Sequence, residues 1–230
     1  MTQDFISLLS KEQKIRLGFY QEFDENAEQA YNFVMQPTQV VAAQELNLAE
    51  TLNNLNDDGI YLIDVQGNAI KFIGDETETV HDIAYIGIVD GFKRLKVSVS
   101  EFEHALQEDN FNRDSIKDYD GYIKYELDAL NDWNGEENTK HILLQNPALK
   151  DKLKEGEYIP TLGQLAFIWY HRNQVNEALK FIGCKPLSQS GTWSSTEYSA
   201  SFAWFVRFYD GNPYGYIKYY ALVVRAVAAF

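Results

Sequence analysis

The chain has 230 residues, 45% hydrophobic and 23% charged, which is enough to bury a sizeable core in one domain with an appendage. Its formal net charge of -14 and sequence pI near 4.7 argue against a nucleic-acid partner, because an acidic surface repels a polyanion and no Lys/Arg cluster offsets it. One cysteine, Cys184, excludes an intrachain disulfide, so packing must hold the fold.

The opening residues, Met1-Thr2-Gln3-Asp4-Phe5, show no basic region followed by an apolar run, and no stretch approaches the length of a membrane span. The expectation is synthesis in the cytoplasm without a signal peptide and no membrane insertion. Residues 1–57 read as a helical N-terminal region: Ser10-Lys11-Glu12-Gln13 is a capping-box pattern, and Pro37 separates it from a second helix over 38–56. In that helix Val41, Leu48, Leu52 and Leu55 fall on heptad seam positions. A short coiled coil joining copies into a homo-oligomer and an amphipathic helix packed on its own domain both fit this pattern.

At Asp57-Asp58-Gly59 the pattern turns to strands, with Ile60 to Asp64 and Ala69 to Phe72 flanking a turn at Val65-Gln66-Gly67-Asn68. A second hairpin is expected from Ile83 to Val89 and Phe92 to Val99, joined at Asp90-Gly91. Leu95, Val97 and Val99 alternate with Arg94, Lys96 and Ser98, which gives that strand one buried and one wet face. Ser100-Glu101-Phe102-Glu103 predicts a helix start, and Tyr119, Tyr122, Ile123, Leu127 and Leu130 keep helical spacing. Tyr158-Ile159-Pro160 leads into a capping box, Thr161-Leu162-Gly163-Gln164, with helical apolar positions from Leu165 to Ile182 and Gly183 as the C-terminal stop. From Gly191 to Phe230 everything reads as strands and turns, with Asp210-Gly211 as a further hairpin signal. The fold class is therefore α+β.

Residues with catalytic or metal-binding spacing are missing from this pattern. His81, His104, His141 and His171 are scattered, with no His or Cys at ligand spacing from any of them. Ser194, Ser195 and Ser199 sit in no Gly-x-Ser-x-Gly elbow, and Glu136-Glu137 and Asp57-Asp58 read as helix-start or solvent-facing carboxylates. No catalytic residue, cofactor or metal is expected.

What stands out is the end of the chain. Tyr198, Tyr209, Tyr214, Tyr216, Tyr219 and Tyr220 cluster with Phe202, Phe205, Phe208 and Trp204. Strand alternation puts Trp204, Val206 and Phe208 on one face and Phe205, Arg207 and Tyr209 on the other. If the first face is core, the second is an exposed aromatic row. Tyrosine mixed with Gly, Asn and Ser is the composition of a binding surface, because tyrosine gives large amphipathic contact area at modest entropic cost.

These residues also carry a resemblance. Trp193-Ser194-Ser195-Thr196-Glu197-Tyr198, then Ala203-Trp204, Asp210-Gly211, Lys218 and the ending Val224-Arg225-Ala226-Val227-Ala228-Ala229-Phe230 resemble the C-terminus of variable proteins targeted by diversity-generating retroelements of gut bacteria and their phages. Trp133-Asn134-Gly135, Tyr158 to Leu165 and Ala178 to Gly183 resemble the same group. The resemblance implies a C-type-lectin-like fold over residues 58–230, with the helical region before it as anchor and a variable region at about 192–230. It implies a scaffold of Trp193, Trp204, Val206, Phe208, Gly211, Lys218, Val224 and Arg225. The variable ligand contacts would be Ser199, Ala200, Ser201, Phe202, Phe205, Arg207, Tyr209, Asn212, Tyr214, Tyr216, Ile217, Tyr219, Tyr220, Ala221, Leu222 and Val223.

Adenine-directed mutagenesis in that group leaves a final C in the codon, so Lys, Glu, Gln, Met and Trp cannot arise at fully randomised positions. From Tyr198 onward those types occur here only as Trp204 and Lys218, both scaffold by the match. The implied role is a receptor-binding protein of a phage tail tip or a cell-surface adhesin, with a host or target surface protein or glycan as partner. The alternative is a structural tail or surface subunit whose aromatic face is buried in an assembly. Two departures narrow the likeness: Cys184 lacks the second cysteine that the related formylglycine-generating enzymes use, and no Glu-Pro-Asn or Gln-Pro-Asp sugar signature is present.

Overall fold

The computed structural model describes residues 57–74, 82–107 and 121–230. The expected N-terminal helices, with the Ser10 capping box and the seam from Val41 to Leu55, lie outside the described residues, as do His81 and Tyr119.

Gly59–Asp64 (β1) turns back into Ala69–Lys71 (β2), with Tyr61 opposite Lys71 and Ile63 opposite Ala69. The Asp64 carboxylate closes the turn by accepting from the backbone N–H groups of Gln66 (2.9 Å) and Asn68 (2.8 Å). Ile83–Asp90 (β3) and Lys93–Ser98 (β4) make the second hairpin, with Asp90 facing Lys93. Its loop is therefore Gly91-Phe92, one residue later than the expected pair. Gly91 has φ +57°, which suits the tight turns that match strand twist, and Phe92 stands 86% exposed at the tip instead of opening the strand.

After Phe102–His104 (β5) come helices Glu126–Leu130 (α1), Gly135–Gln145 (α2), Leu162–Tyr170 (α3) and Arg172–Phe181 (α4), with a 3-10 turn at Pro147–Lys152. Both halves of the Thr161/Gln164 capping box are present on α3. Helix α4 ends where Gly183 takes φ +74°. There the N–H groups of Gly183 and Cys184 close onto the carbonyls of Lys180 (3.0 Å) and Leu179 (2.8 Å). The strands Gly191–Glu197 (β6), Phe202–Arg207 (β7), Asn212–Ile217 (β8), Leu222–Val224 (β9) and Val227–Ala228 (β10) finish the chain.

Two five-stranded sheets result, ordered β10-β4-β3-β1-β2 and β5-β9-β6-β7-β8, antiparallel throughout except where β9 runs parallel to β6. The fold is mixed α+β with two largely antiparallel sheets. Residues 99–101 carry the chain from the first sheet to the second, and Arg225 and Ala226 carry it back alongside. The buried Arg225 guanidinium clamps this crossing, donating to the Ser98 carbonyl (3.0 Å) and the Glu101 carboxylate (2.7 Å).

That clamp corrects the helix expected at Ser100: Glu101 is drawn to Arg225, and β5 pairs with β9. The helix expected through Tyr122 and Ile123 likewise contracts to Glu126–Leu130. The Ile123 N–H donates to the Glu197 carbonyl (2.9 Å), and its own carbonyl accepts the Trp204 indole N–H (2.7 Å), so long-range partners take the groups a helix would use.

The main core lies between the first sheet (Ile60, Leu62, Ile86, Ile88, Leu95, Val97), helices α3 and α4 (Leu165, Ile168, Val175, Leu179) and one face of β7 (Trp204, Val206). Each such side chain contributes on the order of 1.5–3 kcal/mol when fully buried. A second cluster joins Ile142 and Leu149 to Trp193, Ala203 and Val224 on the opposite face of the second sheet, and Phe205 and Leu222 pack at its margin.

Candidate ligand-display surface

Three separate stretches of sequence meet beneath the C-terminal strands. The Asp132 carboxylate accepts from Asn138 Nδ2 (2.7 Å), from the Thr196 hydroxyl (2.7 Å) and from the Asn134 N–H (3.0 Å). Thr196 Oγ1 in turn accepts the Leu162 N–H at the head of α3 (2.9 Å), while the Thr161 hydroxyl donates to the Asp132 carbonyl (2.6 Å). Two glycines allow this closeness. A Cβ on Gly163 would lie 2.5 Å from the Leu130 carbonyl, and one on Gly135 would lie 2.6 Å from the Tyr158 ring.

A second buried network stands under the turn between β8 and β9. Lys218, fully buried, donates from Nζ to Gln145 Oε1 (2.8 Å) and to the Glu197 carboxylate, which also binds His141 Nδ1 and accepts from Gln145 Nε2 (2.8 Å). Burial alone would raise the Glu197 pKa; its hydrogen bonds from His141, Lys218 and Gln145, with the Lys218 charge, outweigh that and leave it lowered. Burial also pulls the Lys218 ammonium below its usual value, and the Glu197 charge partly restores it. The Lys218 backbone bonds outward too, its N–H to Ser201 (3.0 Å) and its carbonyl to the N–H of Leu106 (2.8 Å).

On this frame stands a row of rings. In the β7/β8 register Phe205 faces Tyr214, Ala203 faces Tyr216 and Arg207 faces Asn212, so these side chains share one face of the hairpin. Phe205 stacks on Tyr214 (5.6 Å between centroids) and meets Tyr216 edge-on (6.0 Å). Tyr216 stacks on Tyr220 (5.3 Å), which touches Tyr219 (4.5 Å). Buried Trp193 supports the row from below, 6.2 Å from Phe205 and 6.3 Å from Tyr216. At the other end the Arg207 guanidinium lies over Tyr209 (4.5 Å) and Tyr214 (4.8 Å) and donates to the Tyr214 hydroxyl (2.8 Å) and to the Asp210 carboxylate. Hydrogen bonds from Arg207 hold the Asp210 carboxyl down to about 2, so the charge pair is closed within the row.

Of the residues expected as scaffold, Trp193, Trp204, Val206, Phe208, Lys218, Val224 and Arg225 are buried, and Gly211, at φ +78°, lies against the Trp169 ring, where a Cβ would collide. Of those expected as contacts, Phe202, Tyr209, Asn212, Tyr214, Tyr216, Tyr220 and Ala221 are exposed, with Tyr209 the most open of the rings at 61%. Ser199, Ala200, Ser201, Phe205, Arg207, Ile217, Tyr219 and Leu222 are half-buried. Val223 departs from the expectation: it is 7% exposed, because its neighbours β5 and β6 flank it on both sides.

Sequence reasoning passed over Gly191 and the pair His141 and Gln145. A Cβ on Gly191 would lie 2.8 Å from the Phe205 ring, so this glycine is what lets Phe205 lie across β6. His141 and Gln145 sit four apart on α2, the one available hint that both face the same partner. The row offers ring edges, phenol hydroxyls and one neutralised guanidinium, which suits recognition. Among the described residues no group of three His, Cys, Asp or Glu could hold a metal ion, and no helix is long and apolar enough to cross a membrane.

No family model matches the chain, and no curated protein matches it in sequence. Among solved structures it is similar to a fimbrial protein from Bacteroides ovatus, with a TM-score of 0.56 and 16% identity. The match covers 76% of this chain and 49% of that one, so it spans about half the length of the fimbrial protein. At that identity the likeness is one of fold.

Proposed function

We propose that this chain is a non-catalytic display protein that binds a surface protein or glycan of another cell through the aromatic face of β7, β8 and the turn after them. The carrying observation is the continuous ring row from Tyr209 to Tyr219, resting on the buried Trp193 ring and beside the buried Lys218 and Glu197 pair. A few aromatic anchors on a rigid base are what binding energy is usually concentrated in. In this reading the frame is a C-type-lectin-like domain, the exposed positions are diversified by a retroelement, and the protein works as a phage tail receptor-binding protein or a surface adhesin.

The likeness to a fimbrial protein supports a surface adhesin, and also a second reading in which the chain is a structural subunit whose ring row is covered by a neighbour in an assembly. One experiment separates them. Tyr214, Tyr216 and Tyr220 are replaced together by Ala, and binding of the purified protein to a panel of bacterial cells is measured beside its ability to assemble. Loss of cell binding with assembly intact supports display; retained cell binding in a folded variant refutes it. Sequencing the region coding for residues 192–230 across sibling isolates should show substitutions concentrated at the exposed positions.

A further inference from the structure

The margins of the two sheets are not alike. β2 is three residues long and carries Lys71, β5 is three residues long and carries Glu103, and β10 has two residues. β8 has six residues, Asn212 to Ile217, with no charge among them, and among the described residues it pairs with β7 alone. Open strand edges are normally guarded by shortness or by charge, because their unpaired N–H and C=O groups attract another strand. β8 has neither guard, and its one proline, Pro213, a third kind of edge guard, withdraws an N–H at a single position and leaves Gly215 and Ile217 open.

The groups that face outward follow from the ladder. The Lys218 N–H donates to the Ser201 carbonyl (3.0 Å), one step beyond the pair Phe202 and Ile217 in the same register. Hydrogen-bonded and open pairs alternate from there, so Ile217, Gly215 and Pro213 stand in open pairs and turn their backbone groups away from β7. The Ile217 carbonyl is taken by the Tyr220 N–H (3.2 Å), and proline has no N–H to give. What remains without a partner among the described residues is the Pro213 carbonyl, the Gly215 N–H and carbonyl, and the Ile217 N–H.

We infer that this edge is filled by β8 of a second copy of the chain, antiparallel, about a two-fold axis at Gly215. Across that axis the two Gly215 residues exchange two hydrogen bonds, and each Ile217 N–H meets the Pro213 carbonyl of the other copy. A regular ladder would add a bond from the N–H at 213 to the carbonyl at 217. That is the bond proline cannot make and the Tyr220 turn makes needless, so the two irregularities of the strand cancel. A strand of unrelated sequence would have no reason to share them. The intervening open pairs bring Tyr214 of one copy beside Tyr216 of the other, on the ring-bearing face. Nothing among the described residues requires glycine at 215: its φ is not left-handed, and a Cβ there would meet none of their atoms within 4 Å. Pairing joins the β8-bearing sheet of each copy into one sheet of ten strands with a continuous double row of rings, whatever that row binds.

The test is the mass of the full chain in solution by sedimentation equilibrium, for the natural sequence and for Gly215→Pro. The proline removes an outward N–H and no bond to β7, and an edge strand can accept its fixed φ, so the fold should keep its near-ultraviolet circular dichroism while both axial bonds are lost. The natural chain should associate to twice the mass of the variant, a multiple of 26.5 kDa, and the variant's dissociation constant should rise roughly tenfold or more. In the natural chain the amides of Gly215 and Ile217 should exchange more slowly with deuterium as concentration rises. If the proline variant misfolds, Gly215→Lys sets like charges at the axis while its Cβ enters open space, and the same loss is expected. Equal masses for natural and substituted chains at every concentration, with Gly215 and Ile217 exchange indifferent to concentration, would overturn the inference.

Discussion

Lys218 and Glu197 are the residues on which the C-terminal turn depends, since both are buried and each is the other's counter-charge. Removing one partner strands a charge in the interior, which costs about 3–5 kcal/mol, whereas replacing both by apolar groups costs far less. Lys218→Met should therefore lower the urea-unfolding free energy by that amount, and adding Glu197→Leu should recover a good part of it. The pH dependence has a definite sign. The folded pKa of Glu197 is lowered from 4.5, so its contribution is complete above about pH 4.5 and is lost as pH falls through the folded value. Acid titration of stability should steepen below that point in the natural chain and flatten in the double variant. Asp210 differs in kind: its carboxyl stays ionised to about 2, so the Arg207 clamp on Tyr209 and Tyr214 should persist through mild acid. Asp210→Asn should disturb the tyrosine environment, read by near-ultraviolet circular dichroism, with little change in melting temperature.

At the level of the elements, the β7/β8 hairpin is held at its tip by Trp169, whose indole N–H donates to the Phe208 carbonyl (2.9 Å) and whose ring fills the space beside Gly211. Gly211→Ala meets both that ring and a positive φ, and should cost at least about 1–3 kcal/mol in thermal or urea unfolding. Thr161→Ala removes the cap of α3 and its bond to the Asp132 carbonyl, a loss of about 1–2 kcal/mol by the same measurement. The hairpins, the α3 capping box and the Gly183 stop were legible in the sequence because turn chemistry and caps are written within four or five neighbouring residues. The β7 alternation was legible for the same reason, since Trp204 and Val206 enter the main core while Phe205 and Arg207 lie on the opposite face, where Phe205 packs at the margin of the second cluster. What escaped was non-local. Glu101 reads as a helix start until Arg225, 124 positions away, claims it. Burial of Val223 depends on two flanking strands, and the service of Gly191 to Phe205 on a cross-strand ring, neither of which a window of neighbours contains.

Across the molecule, exposure and support are divided between two sets of positions in the last forty residues. One set is buried: Trp193 lies in the cluster with Ile142 of α2, Trp204 donates to the Ile123 carbonyl, Lys218 bonds to Gln145 of α2 and Arg225 to the other sheet; the other set, Phe205, Tyr209, Tyr214, Tyr216 and Tyr220, contacts mainly its own members. A display surface needs this division, because side chains can then be exchanged without loss of the fold. The direct measurement is a saturation-substitution scan of residues 192–230, read by protease resistance of the folded protein. Broad tolerance at Tyr209, Asn212, Tyr214, Tyr216 and Tyr220, beside intolerance at Trp193, Trp204, Gly211, Lys218 and Arg225, is the result expected of a display face. Equal intolerance in both sets would show that the ring row belongs to the core of the protein and would contradict its assignment as a binding surface.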